Sequence, residues 1–337
     1  MIVVTGAAGF IGSNLARRLA EAGHDLLLVD HPLTEDKAAN LGELSRFRFV
    51  EHEPFLALLD RDRPRLDGVF HLGACSATTE ADWAYLERNN IGYSQAVWEW
   101  CAANACPLVY ASSAATYGDG SLGFDDRTLP DRLRPLNLYG KSKNDFDAWV
   151  LAQVGDGQPT PPGWAGTKFF NVYGPREAHK GGMSSVVWQA YRQIAESGEV
   201  RLFRSNDPAV GDGNQRRDFV FVDDCIDHML WLWKHPEASG IYNSGTGTAR
   251  TFADLARSVF AALGREPSIR FIDMPTALAG QYQNFTQADM SKLRAVGCDS
   301  VPTTLEHGVL ATVEWLQTHS GLGGSRDRLD SSTGKRG

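Results

Sequence analysis

The stretch TGAAGFIGS, residues 5–13, decides how this chain begins to fold. It follows a short apolar run, residues 1–5, and opens a segment of helical periodicity, residues 11–22. Gly6 permits a tight turn, Gly9 lets backbone approach a pyrophosphate without a Cβ, and Gly12 lets the helix pack close to a sheet. Phe10 and Ile11 begin that helix, whose free N–H groups and positive dipole end suit phosphate oxygens. The spacing, G-x-x-G-x-x-G, is one residue longer than the general dinucleotide fingerprint. A glycine triplet alone is weak evidence. Its weight here comes from the strand–turn–helix setting.

Outward from that loop, strand-type and helix-type runs alternate. Strands are expected at residues 26–29, 47–50, 68–72, 108–112 and 167–172, and helices at 82–103 and 138–154. Such β-α-β alternation predicts an α/β fold, a doubly wound parallel Rossmann sheet with right-handed crossovers. GDGQPTPPGWAG, residues 155–166, reads as a surface loop. Beyond it the pattern loosens, with helices expected at 184–196, 223–234, 252–263, 287–295 and 304–318, and strands at 219–222, 241–243 and 269–272. Residues 1–167 are therefore expected to form the dinucleotide-binding domain. Residues 168–319 are expected to form a smaller interleaved α/β substrate domain, with some elements returning to the sheet. Residues 207–215 read as a flexible insertion and 320–337, rich in Gly and Ser, as a disordered tail.

Composition narrows the function classes. The chain has 337 residues, 42% hydrophobic and 22% charged, enough for a sizeable core. A net charge of −8 argues against nucleic-acid or anionic-membrane partners, which need a basic footprint. It does not argue against a small phosphorylated ligand. MIVVTGAAGF lacks the basic and apolar regions of a secretory signal, and no apolar run approaches a membrane span. The five cysteines, Cys75, Cys101, Cys106, Cys225 and Cys298, form no C-x-x-C, and read as reduced residues of a cytoplasmic protein. The nine histidines show no metal-ligand spacing, so no metal is expected.

Asp30 ends the second expected strand, 18 residues after Gly12, where an acid commonly meets the adenosine ribose. That favours NAD. Lys37, seven residues on, suits either a 2′-phosphate or plain solvent, so the residues alone leave NAD and NADP open. HLGACS, residues 71–76, follows the fourth strand, and its small residues let a dinucleotide cross the strand ends. Asn89 in the next helix is equally readable as a ribose contact or an ordinary helix residue.

YASSAATYG, residues 110–118, ends a strand, and Tyr139 and Lys143 follow at helical i, i+4 spacing on one face. A neighbouring ammonium favours phenolate, so Lys143 is expected to lower the Tyr139 pKa from its usual value near 10. With the Ser113 hydroxyl, the pair makes a general base for a substrate alcohol. In company with the glycine loop, these residues are similar to the short-chain dehydrogenases.

Four further strings carry a narrower resemblance: GACSATTE (73–80), FFNVYGPREAHKGGMSSV (169–186), RRDFVFVDD (216–224) and GQYQNFTQADMSKLR (280–294). From residue 1 to about residue 318, the chain resembles the ADP-glyceromanno-heptose 6-epimerases, a family of extended short-chain dehydrogenases. The resemblance implies a tightly held NADP, with NAD as the alternative. It places around it Phe10, Ile11, Asp30, His31, Lys37, His52, Leu72, Gly73, Ala74, Cys75, Ser76, Asn89, Tyr139, Lys143, Val172 and Lys180. It implies two bases, Tyr139 and Lys180, on opposite faces of the C6″ carbon of an ADP-heptose. It brings Asn171, Lys180, Gly182, Gln189, Phe203, Arg204, Ser205, Asn206, Arg217 and Tyr282 to the ADP-sugar, and suggests a homo-oligomer, with a pentamer as one form. Three positions depart from the pattern: His52 stands for a frequent lysine, Gly182 for a serine and Gln189 for a histidine.

The residues also support competing roles. Lys180 beside Arg176 and His179 suits phosphate binding as well as proton transfer, and Arg217 suits a pyrophosphate or a salt bridge to Asp218 or Asp223. A 4,6-dehydratase would need an acid after Ser113, where Ala114 and Ala115 stand. A UDP-hexose 4-epimerase would share the core but not the strings at 176–183 and 282–289. A catalytically silent dinucleotide sensor would be free to lose Tyr139, Lys143 and Ser113, all of which are present.

Overall fold

The opening apolar run forms strand β1, Ile2–Thr5, every residue of it buried. The structure is a computed structural model describing residues 1–275 and 282–319. The expected tail at 320–337 lies outside the described residues. β1 lies between Leu26–Asp30 (β2) and Gly68–His71 (β4), parallel to both. Arg48–Glu51 (β3) extends one edge. Leu108–Ser113 (β5), Trp164–Phe169 (β6) and Gly240–Ser244 (β11) extend the other. The order is β11-β6-β5-β4-β1-β2-β3, parallel throughout. The strand order therefore reverses between β1 and β4, and in such sheets the crevice for a ligand opens at the carboxyl ends of those strands.

Both faces of the sheet are covered, as the expected double winding requires. Ile2, Val4, Leu26 and Leu28 join a core with helices α1 (Phe10–Glu21) and α8 (Val222–Lys234). Val3, Leu27 and Val29 face the opposite core with α3 (His52–Asp62), α5 (Tyr93–Ala103) and α6 (Leu138–Gly155). Successive strand residues point to opposite faces, so continuous apolar runs supply two cores. β11 joins the sheet from the second half of the chain.

The rest of the second half is small and discontinuous. Asn171–Tyr173 (β7) pairs with Phe219–Phe221 (β10), Arg216–Arg217 (β9) with Arg250–Thr251 (β12), and Val200–Phe203 (β8) with Ile269–Ile272 (β13). Helices α7 (Val186–Ser197), α9 (Phe252–Ala262) and α11 (Leu305–Thr318) pack around them. α9 starts where it does because Thr251 and Asp254 form a reciprocal capping box.

Several expectations need correction. The run at 167–172 is two strands in different sheets, broken at Phe170. Helices α2 (Glu35–Leu41) and α3 were not foreseen, nor was β8. The helix expected over 287–295 shrinks to α10, Ser291–Ala295, because Ala288 N donates to buried Asp218 instead of starting a turn. The 207–215 segment folds back on itself. Asp212 accepts from Ser205 N at 2.9 Å and pairs with Arg204 at 3.2 Å. Among the described residues no helix is long and apolar enough to cross a membrane.

Candidate active site

A cleft of about 1150 Å³ opens at the strand ends where the order reverses. Its wall gathers Gly6, Gly9, Phe10, Ile11, Gly12, Asp30, His31, Lys37, His52, Leu72, Gly73, Ala74, Cys75, Ser76 and Asn89 from the first half. Ser113, Tyr139 and Lys143 line its middle, and Asn171, Val172, Lys180, Gln189, Phe203, Arg217 and Tyr282 its far side. Four residues assigned to the substrate stand off this wall. Gly182 is exposed, its carbonyl accepting from Gln189 at 3.2 Å. Arg204 is drawn to Asp212 and Asp273 at 3.2 and 3.4 Å, Ser205 closes a turn with Asp207, and Asn206 accepts from Asn284 at 3.0 Å.

The glycine loop is a cradle that a side chain would fill. Gly6 has φ +64°, and a Cβ there would lie 2.8 Å from Gly73 N. A Cβ on Gly12 would overlap the Gly6 carbonyl oxygen. Gly9 caps α1 with no side-chain hydrogen bond, leaving the helix's first N–H groups for a ligand.

Asp30 is already engaged. It accepts from Ala8 N at 2.9 Å and His31 N at 2.8 Å, and pairs with Lys37 Nζ at 2.7 Å. Its side chain is 3% exposed, so Lys37 balances a charge that would otherwise be buried alone. Beside it the His31 and His52 rings lie 4.6 Å apart between centroids. Burial, and then His31, lower the His52 pKa, and His52 Nδ1 is buried without a partner.

Ser113, Tyr139 and Lys143, expected to form an acid–base group, come together in the cleft at the end of β5. Asn137 caps α6 through Gly140 N at 2.7 Å, which sets Tyr139 and Lys143 in its first turns. Lys143 is buried and donates to Ala111 O at 2.9 Å, and burial lowers its pKa to about 8. For Tyr139 the expected direction is reversed. Burial pushes the phenol upward, and the hydrogen bond with Ser113 only partly opposes it.

Lys180 sits on the short helical segment Ala178–Met183. Its ammonium pairs with Glu177 at 3.0 Å and lies 4.7 Å from the Phe10 ring centroid. Glu177 is fully buried and also accepts from Gly174 N and Ser185 N. Arg176, read as a phosphate-binding neighbour of Lys180, points away to Asn14 and Glu43. Arg217 shows the reverse. It is 7% exposed, lies 5.0 Å from the Tyr282 ring and 5.5 Å from the Phe252 ring, and donates to Arg216 O. The salt bridges weighed for it do not form: Asp218 is taken by Thr246, Gly247 and Ala288, while Asp223 faces Arg17 and Arg18.

The family model described as NAD dependent epimerase/dehydratase family matches residues 2–245. The ADP-L-glycero-D-manno-heptose-6-epimerase of Nitratidesulfovibrio vulgaris is 49% identical over 313 residues, 92% of this chain and 95% of the relative. The chain belongs to the NAD dependent epimerase/dehydratase family, in its ADP-L-glycero-D-manno-heptose-6-epimerase branch. The Alkalilimnicola ehrlichii member of that branch is 48% identical over 92% of this chain and 95% of its own. Among solved structures, the Helicobacter pylori ADP-L-glycero-D-manno-heptose-6-epimerase superposes with a TM-score of 0.77 at 27% identity, covering 94% of this chain and 96% of that one. A UDP-glucose 4-epimerase from Thermotoga maritima, with UDP-glucose, gives 0.76 at 25% identity, covering 94% and 98%.

For an epimerase of this branch, sequence reasoning missed much of the far wall. Met183, Gln193, Leu202, Phe252 and Leu255 line the cleft. In the sequence, Leu202, Phe252 and Leu255 read as ordinary core and Gln193 as a polar helix residue. The pairing of β8 with β13 sets Leu202 in this wall, while the other four stand on α7, α9 and the segment Ala178–Met183.

Proposed function

We propose that this isomerase interconverts ADP-D-glycero-β-D-manno-heptose and ADP-L-glycero-β-D-manno-heptose by transient oxidation at C6″ with bound NADP. One observation carries the reading. An acid–base cluster at the end of β5 faces the same cleft as the glycine cradle, and a buried arginine with no carboxylate partner among the described residues lies across it.

The cleft's first half fits a dinucleotide. The Gly6–Gly12 turn is a cradle, α1 offers free N–H groups, and small residues Gly73 and Ala74 leave room over the strand end. NADP is favoured over NAD because Asp30 is spent on Ala8 N, His31 N and Lys37. A 2′-phosphate would meet Lys37, His31 and His52 rather than a bare carboxylate. When bound, the oxidised cofactor supplies a hydride acceptor whose positive ring also favours the phenolate.

The chain's own groups do the rest. Arg217 suits the pyrophosphate of the sugar nucleotide, its planar fork matching phosphate oxygens. Tyr139 exchanges the C6″ hydroxyl proton, with Ser113 sharing the same oxygen and Lys143 below it. C6″ has no acidic proton, so inversion there runs through the ketone, and the ketone must turn to be reduced on its other face. Lys180 serves that face. Glu177, 3.0 Å from its Nζ, orients it.

Residues 1–167 form the cofactor domain in this reading and residues 168–319 the substrate domain. A homo-oligomer, with a pentamer as the expected form, is measured by sedimentation. The function is tested by mass spectrometry of the nucleotide bound to the purified protein and by NMR of ADP-heptose during incubation. Appearance of the second C6″ epimer without net cofactor reduction is the expected result. Turnover of UDP-galactose with none of ADP-heptose would overturn it.

A further inference from the structure

The helix between β4 and β5 does not run smoothly. After α4 (Trp83–Leu86) it widens into a π-helical turn, Glu87–Gly92, before α5. Tyr93 N reaches back five residues to Arg88 O. Such a turn inserts a residue into the helical repeat and re-aims its neighbours, and it commonly marks a functional site. Asn89 then lines the cleft and donates to Tyr85 O of its own helix at 2.8 Å. Asn90 is fully buried behind it.

Every polar atom of the Asn90 side chain is used between two separate parts of the site. Its oxygen accepts from Cys75 N at 2.8 Å, and its nitrogen donates to Cys75 O and to Ser142 Oγ, both at 2.9 Å. Cys75 belongs to the segment that crosses the end of β4. Ser142 lies between Tyr139 and Lys143, and donates to Tyr139 O at 2.8 Å. The main chain of Asn90 joins a second line. Ser94 donates to Asn90 O at 2.7 Å, and His71 lies 2.9 Å from Ser94 and 2.8 Å from Thr5 Oγ1, which accepts from Gly73 N at 3.0 Å. Only His71 protonated on Nε2 lets each hydroxyl both donate and accept, because Ser94 has one proton and gives it to Asn90. The glycine loop, the β4 crossing and the acid–base helix are thus tied through one residue.

We propose that Asn90 is a positioning residue for the redox step: through Cys75 and Ser142 it fixes the spacing between the nicotinamide's seat and the Tyr139 phenol. This rests on the dinucleotide reading above, but not on the identity of the sugar. Displacements near 1 Å cost on the order of a hundredfold in rate.

The test compares Asn90→Ala, Ser142→Ala and their double variant with the wild type. Readouts are ADP-heptose kinetics, NADPH affinity, and the fluorescence lifetime of bound NADPH. For Asn90→Ala, kcat should fall roughly 10- to 100-fold while KM and the NADPH Kd stay within about threefold. Ser142→Ala should lose less, and the double variant no more than Asn90→Ala, because both break one linkage. The lifetime should shift in Asn90→Ala, reporting a nicotinamide no longer held as before. A kcat loss that vanishes when rates are scaled to active sites, with an unchanged lifetime, would overturn the proposal. If Asn90→Ala does not fold, Ser142→Ala decides, since it leaves the Cys75 clamp intact. A wild type inert on ADP-heptose would refute the substrate assignment alone. The lifetime would then decide for Asn90: a shift supports it, and no shift overturns it.

Discussion

Replacing Arg217 with methionine should stabilise the empty protein while nearly abolishing its affinity for ADP. The guanidinium is 7% exposed and has no carboxylate partner among the described residues. Taking such a cation from water costs several kcal/mol. Two ring faces at 5.0 and 5.5 Å return about 1 kcal/mol each, and the bond to Arg216 O about 1–2 kcal/mol. A net penalty of roughly 1–2 kcal/mol remains, consistent with burial lowering the Arg217 pKa. Methionine fills much of the stem's volume without the charge. In a chain of this size 1 kcal/mol moves the melting midpoint by about 2 °C, so the variant should melt about 2–4 °C higher without ligand. Losing a buried charged contact to phosphate costs about 2–5 kcal/mol of binding, or roughly 30- to 4000-fold in Kd. Scanning fluorimetry and calorimetric titration with ADP read the two effects separately. A variant that melts lower and binds ADP like the wild type would refute the reasoning, since the charge would then be satisfied inside the fold.

Combining Tyr139→Phe with Lys180→Met should abolish epimerisation while NADPH still binds; near-normal turnover would remove the two-base assignment. Lys37→Ala should weaken NADPH more than NADH in fluorescence titrations, and equal losses would show that Lys37 serves only Asp30. Acid should unfold the protein partly through His228, which burial lowers to about 4 between Ser244 and Ser300. The unfolded chain binds that proton near pH 6.5 and the fold does not, so stability falls with pH between about 6.5 and 4, by about 1.4 kcal/mol per pH unit for this group. Urea midpoints across that range should therefore fall less steeply in His228→Gln, and parallel slopes would exclude the histidine.

What the sequence made legible was whatever local chemistry dictates. The buried runs of β1, β2, β4 and β5 have a short-range cause and lie where they were expected, and the glycine loop and the Tyr139–Lys143 pair, equally local in pattern, line one cleft. The failures share a different origin. α2, EDKAANL, buries only Asn40 and Leu41, so it has almost no apolar periodicity to read. α3 carries Pro54 in its first turn, where proline is tolerated but reads as a breaker. β9 and β12 are two residues each, paired across the fold with no local signal. The direction of the Tyr139 shift was misjudged because spacing shows a neighbouring charge but not the depth of burial. Asn89 was singled out while the more engaged Asn90 was not, since a π turn follows from tertiary contacts rather than composition.

The partnership of β8 with β13 joins Val200–Phe203 to residues made 69 positions later, by register of Ile269 with Val200. A ribosome releases this chain from the amino end, so the glycine cradle and the acid–base helix emerge well before the strand that completes the opposite bank. Synthesis alone thus imposes a sequence on the nascent protein: one bank of the cleft emerges first, and the other is completed only while the final third is being translated.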